Sequence, residues 1–226
     1  MNENVKNCSE IRDGICYIVG AGEPFLPFSP KDNDYVIAAD GGYEQLCRAG
    51  IRTDLLLGDF DSLSASLLSA SDGEKIERHP VRKDDTDTAL AALRAYELGY
   101  RRMVLLGGAG GREDHTFANY QLLLRLRRMG CAALLVGESA CVRVVQNESI
   151  TLHGKIGEVL SVFAFGADAH GVTLRGVEYP LEGGELTVDV ALGVSNAFSA
   201  PTAEIGVANG TLLVFSPFTD LKEIEL

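Results

Sequence analysis

The first 137 residues alternate short apolar runs with segments whose apolar residues recur at helical spacing. The runs lack the apolar-polar alternation of a strand that faces solvent on one side, so we expect strands buried on both faces. Helices between such strands are the usual crossover connections of a parallel sheet. The pattern predicts a parallel α/β sheet covered on both sides. The strands are expected at residues 15–19, 35–39, 55–57, 103–106 and 134–136.

Three segments between these runs have helical spacing and end signals, at residues 43–49, 86–98 and 113–129. A glycine follows each segment, as is common just beyond a helix C-terminus. Asp85 or Thr86 is a suitable N-cap for the second helix. The side chains expected on the buried faces of the second and third helices are Ala89, Leu93 and Tyr96, and Phe117, Tyr120 and Leu124.

The pattern changes near residues 137–147, and no convincing amphipathic helix follows. Short runs with apolar-polar alternation appear instead, several of them separated by Gly-containing turns. This pattern is typical of an antiparallel β-sandwich or barrel. We therefore predict an α/β domain over residues 1–137 and a β-sandwich domain over 138–226. The expected strands of the second domain are 141–145, 159–165, 172–174, 185–190 and 212–215.

Charge and composition exclude several classes of protein. The formal charge of −12 argues against a general nucleic-acid binder and against a polybasic membrane-surface protein. No apolar run reaches the length of a membrane span, and the polar, acidic start is unlike a secretory signal. The five cysteines form no C-x-x-C pair, so we expect reduced thiols in a cytoplasmic protein without nucleic-acid or membrane partners.

Two aspartates follow the predicted strand at 55–57. Asp59 and Asp61 lie two residues apart in Gly-Asp-Phe-Asp-Ser, at the carboxyl end of a buried strand, where open parallel sheets bind ligands. Two carboxylates this close repel each other unless a cation neutralises them, and Mg²⁺ takes one or two carboxylates together with water and substrate phosphate. The alternative is a solvated turn in which one aspartate caps the next helix.

A third acidic segment is Lys-Asp-Asp-Thr-Asp-Thr at 83–88, just before the second predicted helix. Asp and Thr are common helix N-caps, and acids in a first turn favour the helix dipole, so capping alone is one explanation. The other is catalytic, because an acid here placed near Asp59 and Asp61 would complete a site for a metal and a phosphate. Asp40-Gly41-Gly42 ends another strand with an acid, although a Gly-Gly turn also explains it.

A glycine-rich segment, Gly107–Gly111, links a predicted strand to the third predicted helix and is followed by Arg112. Glycines let backbone N–H groups approach a phosphate closely, and a helix N-terminus favours an anion. Arg112 is suited to pair with phosphate oxygens. The segment is neither a P-loop nor G-x-G-x-x-G. The alternative is a tight turn with a surface salt bridge at Arg112, but the glycines exceed what a turn needs.

These motifs, in this order, resemble the thiamine pyrophosphokinase family. The resemblance lies in Asp40–Gly42, in Gly-Asp-Phe-Asp-Ser at 58–62, in Lys-Asp-x-Thr-Asp at 83–87 and in Gly-Gly-x-Gly-Gly-Arg-x-Asp-His at 107–115. Gly-Val-Glu-Tyr-Pro-Leu at 176–181 and Gly-Val-Ser-Asn-Ala-Phe at 193–198 look like that family's C-terminal β-domain. The similarity therefore spans nearly the whole chain.

The resemblance implies transfer of the β,γ-pyrophosphoryl group of ATP to the hydroxyl of thiamine, which gives thiamine diphosphate and AMP. It also implies a homodimer whose thiamine site lies between the α/β domain of one subunit and the β-domain of the other. By position, Asp59, Asp61 and Asp87 would hold Mg²⁺, and together with Arg112 they would be the catalytic residues.

The same correspondence assigns residues to the two substrates. Phe198 is the aromatic side chain expected to stack on thiamine, because the chain has no Trp. The other residues expected at the thiamine site are Asp114, Ser195 and Asn196. The residues expected to contact ATP are Asp40, Gly41, Lys83, Thr86, Gly108, Gly110, Gly111, Arg112 and His115.

Two other functions remain open at this point. One is a pyrophosphokinase that acts on a pterin alcohol, against which the motifs at 176–181 and 193–198 favour thiamine. The other is a non-catalytic nucleotide or thiamine sensor with the same fold. A sensor is expected to lose the acids of the metal site, whereas this chain keeps all of them. The acidic second domain, with three basic and ten acidic residues over 150–226, would attract the thiamine cation.

Overall fold

The computed structural model describes residues 10–22, 27–58, 75–78 and 85–217. Six strands of its first half form one parallel sheet; the alternating pattern predicts five of them and misses the charged strand at Lys75–Arg78. The strands are β1 (Arg12–Val19), β2 (Tyr35–Ala39), β3 (Leu55–Gly58), β4 (Lys75–Arg78), β5 (Tyr100–Leu106) and β6 (Ala132–Val136). Their order across the sheet is β4-β3-β2-β1-β5-β6.

Three helices of the described residues cover the two faces of this sheet: α1 (Gly42–Ala49), α2 (Asp87–Glu97) and α3 (Glu113–Arg128). Thr86 caps α2 as expected, because its side-chain oxygen accepts a hydrogen bond from the Ala89 N–H. Gly50 adopts the left-handed conformation that ends α1. α2 and α3 pack with one face of the sheet, and α1 packs with the other. The strands other than the edge strand β4 are therefore buried on both sides, as their apolar composition predicts, whereas β4 is mostly exposed.

Two details of helix packing differ from the expected buried faces. In α2 the fully buried side chains include Ala91, Ala92 and Ala95, whereas Leu93 and Tyr96 are half-buried. These alanines let the helix backbone lie close to the sheet, and their packing decides which face turns inward. In α3 Phe117 is 55% exposed, and its ring meets Phe165 edge to face with the ring centroids 6.5 Å apart.

The sheet continues into the second half without a linker. β6 turns into β7 (Cys141–Gln146) as an antiparallel hairpin, and Val136 pairs with Cys141. The strands that follow are β8 (Ser149–His153), β9 (Val159–Ala164), β10 (Ala169–Arg175), β11 (Leu181–Leu186), β12 (Asn196–Ala197), β13 (Thr202–Asn209) and β14 (Thr211–Ser216). Beyond β7 the order is β14, β9 and β12, so one ten-stranded sheet crosses the predicted domain boundary. A second antiparallel sheet has the order β11-β10-β13-β8.

The two sheets of the second half enclose a separate apolar core, which Val162, Leu174, Ile205 and Val214 help to form. This arrangement agrees with the predicted antiparallel sandwich. One strand was placed incorrectly, because residues 187–190 lie beyond β11 in a turn region. No helix of the described residues occurs after residue 137. No described helix is long and apolar enough to cross a membrane.

Candidate functional site

A cleft of about 360 Å³ opens at the carboxyl edge of the parallel sheet. The loops after β1, β2 and β5 and the first turns of α2 and α3 form its wall. Topology explains this position, because the carboxyl ends of parallel strands share one edge and helix N-termini point to the same edge. Residues predicted from the sequence to lie together do so here: Asp40, Thr86, Asp87, Gly108, Gly110, Gly111, Arg112 and His115.

Two glycine-containing loops are in backbone contact in this wall. The Gly20 N–H donates to the Leu106 carbonyl at 2.8 Å, and the Gly22 N–H donates to the Gly107 carbonyl at 3.1 Å. A Cβ on Gly22 would lie 2.5 Å from the Gly107 oxygen, and a Cβ on Gly107 would lie 2.6 Å from the Gly22 oxygen. Only glycine at both positions permits so close an approach.

The Gly107–Gly111 loop has the backbone of an anion-binding loop. Gly107, Gly110 and Gly111 all have positive φ, at 66°, 81° and 68°. Left-handed residues of this kind turn successive N–H groups towards one side, which creates a concave surface that attracts anions. A Cβ at Gly111 would meet no atom within 4 Å, so this part of the loop borders open space. The loop therefore has both the conformation and the room to receive phosphate groups.

Asp40 lies at the end of β2 with a φ of 47°, a left-handed conformation that is uncommon for a residue other than glycine. Its N–H donates to the Leu57 carbonyl at 3.0 Å. A Cβ at Gly58 would overlap the Asp40 carboxylate, so that carboxylate lies directly against the last residue of β3. The structure thus places Asp40 beside the point where the chain enters the Gly-Asp-Phe-Asp-Ser motif.

The metal site is described only in part. Asp40 and Asp87 both line the cleft, whereas Asp59, Asp61 and Lys83 lie outside the described residues. Among the described residues no group of three metal-ligating side chains is found. Two carboxylates in one cleft are the hard oxygen donors that Mg²⁺ prefers, so the described part of the site fits that ion.

Arg112 and Asp114 pair with each other at the start of α3. Nε of Arg112 donates to Oδ1 of Asp114 at 3.1 Å, and Nη2 donates to Oδ2 at 2.6 Å. This bidentate pair lowers the pKa of the Asp114 carboxyl, chiefly through the side-chain hydrogen bond from Arg112, and raises the pKa of Arg112. Both side chains are about two-thirds exposed or more, so each is free to exchange its partner for a ligand.

The residues expected to bind thiamine lie in the second half of the chain and have different surroundings. Ser195 is exposed and has a φ of 56°. Asn196 is 3% exposed, and its side chain hydrogen-bonds both the N–H and the carbonyl of Tyr179, at 3.0 and 2.8 Å. Asn196 and Tyr179 line a pocket of about 210 Å³ whose other walls are mainly aliphatic.

The expectation that Phe198 stacks on thiamine is corrected by its burial. Phe198 is completely buried in the core of the second half. A Cβ on Gly154 would lie only 2.8 Å from two carbons of the Phe198 ring, so the ring packs directly against Gly154. A ring enclosed on this side and packed among core residues has no free face. The exposed aromatic ring beside Asn196 is Tyr179, with 70% of the residue accessible.

Two family models match this chain on either side of residue 137. Residues 29–135 match the model described as "Thiamin pyrophosphokinase, catalytic domain". Residues 146–212 match "Thiamin pyrophosphokinase, vitamin B1 binding domain". Together they span more than half of the chain. The chain belongs to the thiamine pyrophosphokinase family.

Relatives in the thiamine pyrophosphokinase family support this assignment over most of the length. The chain is similar to "Thiamine pyrophosphokinase" of Bacillus subtilis, with 27% identity over 79% of this chain and 85% of that protein. A crystal structure of the B. subtilis protein superimposes with a TM-score of 0.83 at 25% identity, covering 92% of this chain and 100% of that one. A structure from Geobacillus thermodenitrificans gives a TM-score of 0.78 at 26% identity, covering 92% and 99%.

A yeast thiamin pyrophosphokinase has the same fold at 15% identity, with a TM-score of 0.73 over 91% of this chain and 86% of that one. Two parts of the cleft wall were not predicted from the sequence. One is Gly20-Ala21-Gly22, although a Gly-x-Gly at the end of the first strand was a usable signal. The other is Asn119, which had no local signal. Tyr179 lies in the motif at 176–181, but it was not assigned a contact with thiamine.

Proposed function

We propose that this chain is a thiamine pyrophosphokinase that transfers the β,γ-pyrophosphoryl group of ATP to the hydroxyl of thiamine. In this reaction a bond forms between the thiamine oxygen and the β-phosphorus, and the bond from that phosphorus to the α–β bridging oxygen breaks. The products are thiamine diphosphate and AMP. The observation that carries the proposal is the cleft, where a glycine-rich loop, an arginine and two aspartates meet in one wall.

The cleft suits the triphosphate of ATP because it combines an anion-binding backbone with a cationic side chain. Pyrophosphoryl transfer needs little covalent assistance from the protein, and it depends on aligned groups and neutralised charge. The left-handed glycines of 107–111 and the first turn of α3 direct N–H groups to one side. Arg112, which is 71% exposed, supplies a guanidinium that binds phosphate oxygens in a bidentate manner.

Mg²⁺ is the metal proposed for this site. Asp40 and Asp87 lie in the described part of the cleft, and Asp59 and Asp61 follow Gly58, against which the Asp40 carboxylate rests. When bound, the ion supplies positive charge that neutralises the phosphates. The chain's own contribution is to place the Asp40 carboxylate at the end of β2 and the Asp87 carboxylate in the first turn of α2, both in the wall of one cleft.

The thiamine ring system is proposed to bind at the second-half pocket that Asn196 and Tyr179 line. Tyr179 replaces Phe198 as the aromatic group for stacking, since its ring is exposed and Asn196 fixes its backbone on both sides. Ser195 lies beside Asn196, and Asp114 is proposed to meet the cationic substrate from the α/β half. The acidic residues over 150–226 favour a cation at this site.

The two halves of the active site are proposed to come from two subunits of a homodimer. Five apolar side chains that are 49–70% exposed lie within residues 179–194, which is an unusually apolar surface for a monomer. A second copy would cover them. These side chains are Tyr179, Val188, Val190, Leu192 and Val194. We infer a cytoplasmic location, which the unpaired thiols of the four described cysteines support.

The test is incubation of the purified protein with ATP, Mg²⁺ and thiamine, followed by quantification of AMP and thiamine diphosphate. A reaction without thiamine and a reaction with a pterin alcohol serve as controls. AMP that forms in a one-to-one ratio with thiamine diphosphate supports the proposal. AMP with the pterin alcohol alone would overturn the substrate, and Mg-ATP binding without AMP from either alcohol would overturn the enzymatic function.

A further inference from the structure

Asn119 is a buried polar side chain in the second turn of α3, and it belongs to the wall of the cleft. It is 4% exposed, one of six buried polar or charged residues in the described part of the chain. Its Nδ2 donates a 2.7 Å hydrogen bond to the carbonyl oxygen of Gly108. A buried amide is costly unless it is hydrogen-bonded, so this contact explains how the helix accommodates Asn119.

The contact fixes a glycine-rich loop that has few other means of holding its shape. A Cβ on Gly108 would lie 2.9 Å from Nδ2 of Asn119 and 3.0 Å from a methyl carbon of Leu135, so the Gly108 backbone lies directly on both side chains. Glycines have more conformational freedom than any other residue, and four of the five residues of 107–111 are glycine. A loop of that composition needs an external anchor to keep one backbone conformation.

The direction of this hydrogen bond determines what the loop presents to a phosphate. In a trans peptide the carbonyl and the following N–H point in opposite directions. With the Gly108 oxygen held on Asn119, the Ala109 N–H is directed away from that side chain. Rotation of the same peptide by half a turn would break the hydrogen bond to Asn119 and change the backbone that Gly108 and Gly110 present to the cleft.

We propose that Asn119 is a positioning residue that orients the Gly108–Ala109 peptide, so that the 107–111 loop receives the phosphates of ATP. This inference rests on the proposed function in so far as ATP binds in this cleft. Asn119 acts through the loop and has no assigned contact with the reacting atoms. Its loss is expected to weaken ATP binding selectively, with little effect on the binding of thiamine in the second half.

The test compares Asn119→Asp and Asn119→Ser with the wild-type protein. Aspartate has nearly the same shape, but its carboxylate has no hydrogen to donate to the Gly108 carbonyl. Serine keeps a donor on a shorter side chain. Calorimetric titration with a non-hydrolysable ATP analogue and Mg²⁺, and separately with thiamine, measures both affinities. We expect the Kd for the ATP analogue to rise at least 10-fold in Asn119→Asp and by less in Asn119→Ser.

A matched control separates positioning from general destabilisation. Leu123 lies one turn further along the same helix, is 1% exposed and does not line the cleft. Leu123→Ala is expected to lower the melting temperature at least as much as either Asn119 variant and to leave the Kd for the ATP analogue unchanged. If Asn119→Asp does not fold, the comparison of Asn119→Ser with Leu123→Ala decides the question.

The outcomes distinguish this inference from the proposed function. Equal ATP-analogue affinities in wild type and in folded Asn119 variants would overturn the positioning role, whatever the activity. A parallel loss of affinity in Leu123→Ala would also overturn it, because general destabilisation would then explain the effect. A wild type that binds the analogue but forms no thiamine diphosphate would overturn the function alone. A wild type that does not bind the analogue would overturn both.

Discussion

Gly107→Ala tests the backbone contact between the two loops of the cleft. Gly107 has a φ of 66°, and a Cβ there would lie 2.6 Å and 2.7 Å from the carbonyl oxygens of Gly22 and Gly20. Both obstacles are backbone atoms, which cannot rotate away as a flexible side chain does. The left-handed conformation costs about 1–2 kcal/mol for a residue with a Cβ. Forcing the two loops apart costs a further ~1–3 kcal/mol.

The control for this substitution is Gly130→Ala, at the end of α3. Gly130 has a φ of 80°, and a Cβ there would meet no atom within 4 Å. Gly130→Ala should therefore lose only the about 1–2 kcal/mol of unfolding free energy that the left-handed conformation costs a residue with a Cβ. Alanine also restricts the unfolded chain, but equally in both variants, so that effect cancels in the comparison. The difference between the two variants measures the cost of the clash.

The assay is urea unfolding of both variants, followed by Mg-ATP titration under native conditions. We expect Gly107→Ala to lose about 2–5 kcal/mol of unfolding free energy and most of its ATP affinity. Gly130→Ala should retain normal affinity, because Gly130 lies outside the cleft. The reasoning is refuted if Gly107→Ala is no less stable than Gly130→Ala, since the two loops would then not be in contact.

Four other substitutions or titrations test separate parts of the site. Arg112→Ala should lower kcat/KM by the equivalent of about 2–4 kcal/mol with little loss of stability, because the exposed ion pair with Asp114 contributes little. A loss of kcat/KM well below that range would assign Arg112 to surface pairing alone. Asp87→Asn should raise the Mg²⁺ concentration that gives half-maximal activity, and an unchanged Mg²⁺ dependence would remove Asp87 from the metal site. Leu192→Glu should convert a dimer into a monomer in light scattering, because a charge would be buried against the second copy, and a persistent dimer would place the interface elsewhere. The Asp114 carboxyl should titrate in NMR below its usual pKa of about 3.8, and Arg112→Ala should raise that pKa towards the usual value, while the hydrogen bond from the His115 N–H still lowers it. The small stabilisation from the Arg112–Asp114 pair is present above pH 3.8 and is lost as the pH falls through the lowered pKa.

Local signals in the sequence were sufficient for the elements that define the cleft. Strand β2 has the predicted bounds, and Thr86 and Gly50 end their helices as cap residues should. These features depend on neighbouring residues alone, which the sequence displays directly. The meeting of the strands' carboxyl ends at one edge then follows from the rules of parallel sheets, whereas the order of the strands was not predicted.

Features that depend on tertiary packing were predicted less well. Helical spacing placed Phe117 on a buried face, but the ring contacts Phe165 of the second half and stays largely exposed. Phe198 was assigned to ligand stacking, whereas the absence of a side chain at Gly154 admits its ring to the core. Asn119 gave no periodic or motif signal, because its importance arises from a carbonyl eleven residues away in the chain. Strand β13 was not predicted from the sequence, because it contains a glycine and polar residues. Its pairing with β8 and β10 defines it as a strand.

The most direct test of the central claim follows the phosphorus atoms of ATP into the products. ATP labelled with ³²P at the α position and ATP labelled at the γ position are reacted in parallel with Mg²⁺ and thiamine. Pyrophosphoryl transfer predicts that the α label appears only in AMP and that the γ label appears only in thiamine diphosphate. Thiamine monophosphate carrying the γ label, with the α label in ADP, would contradict the account, because a single phosphoryl group would then have been transferred.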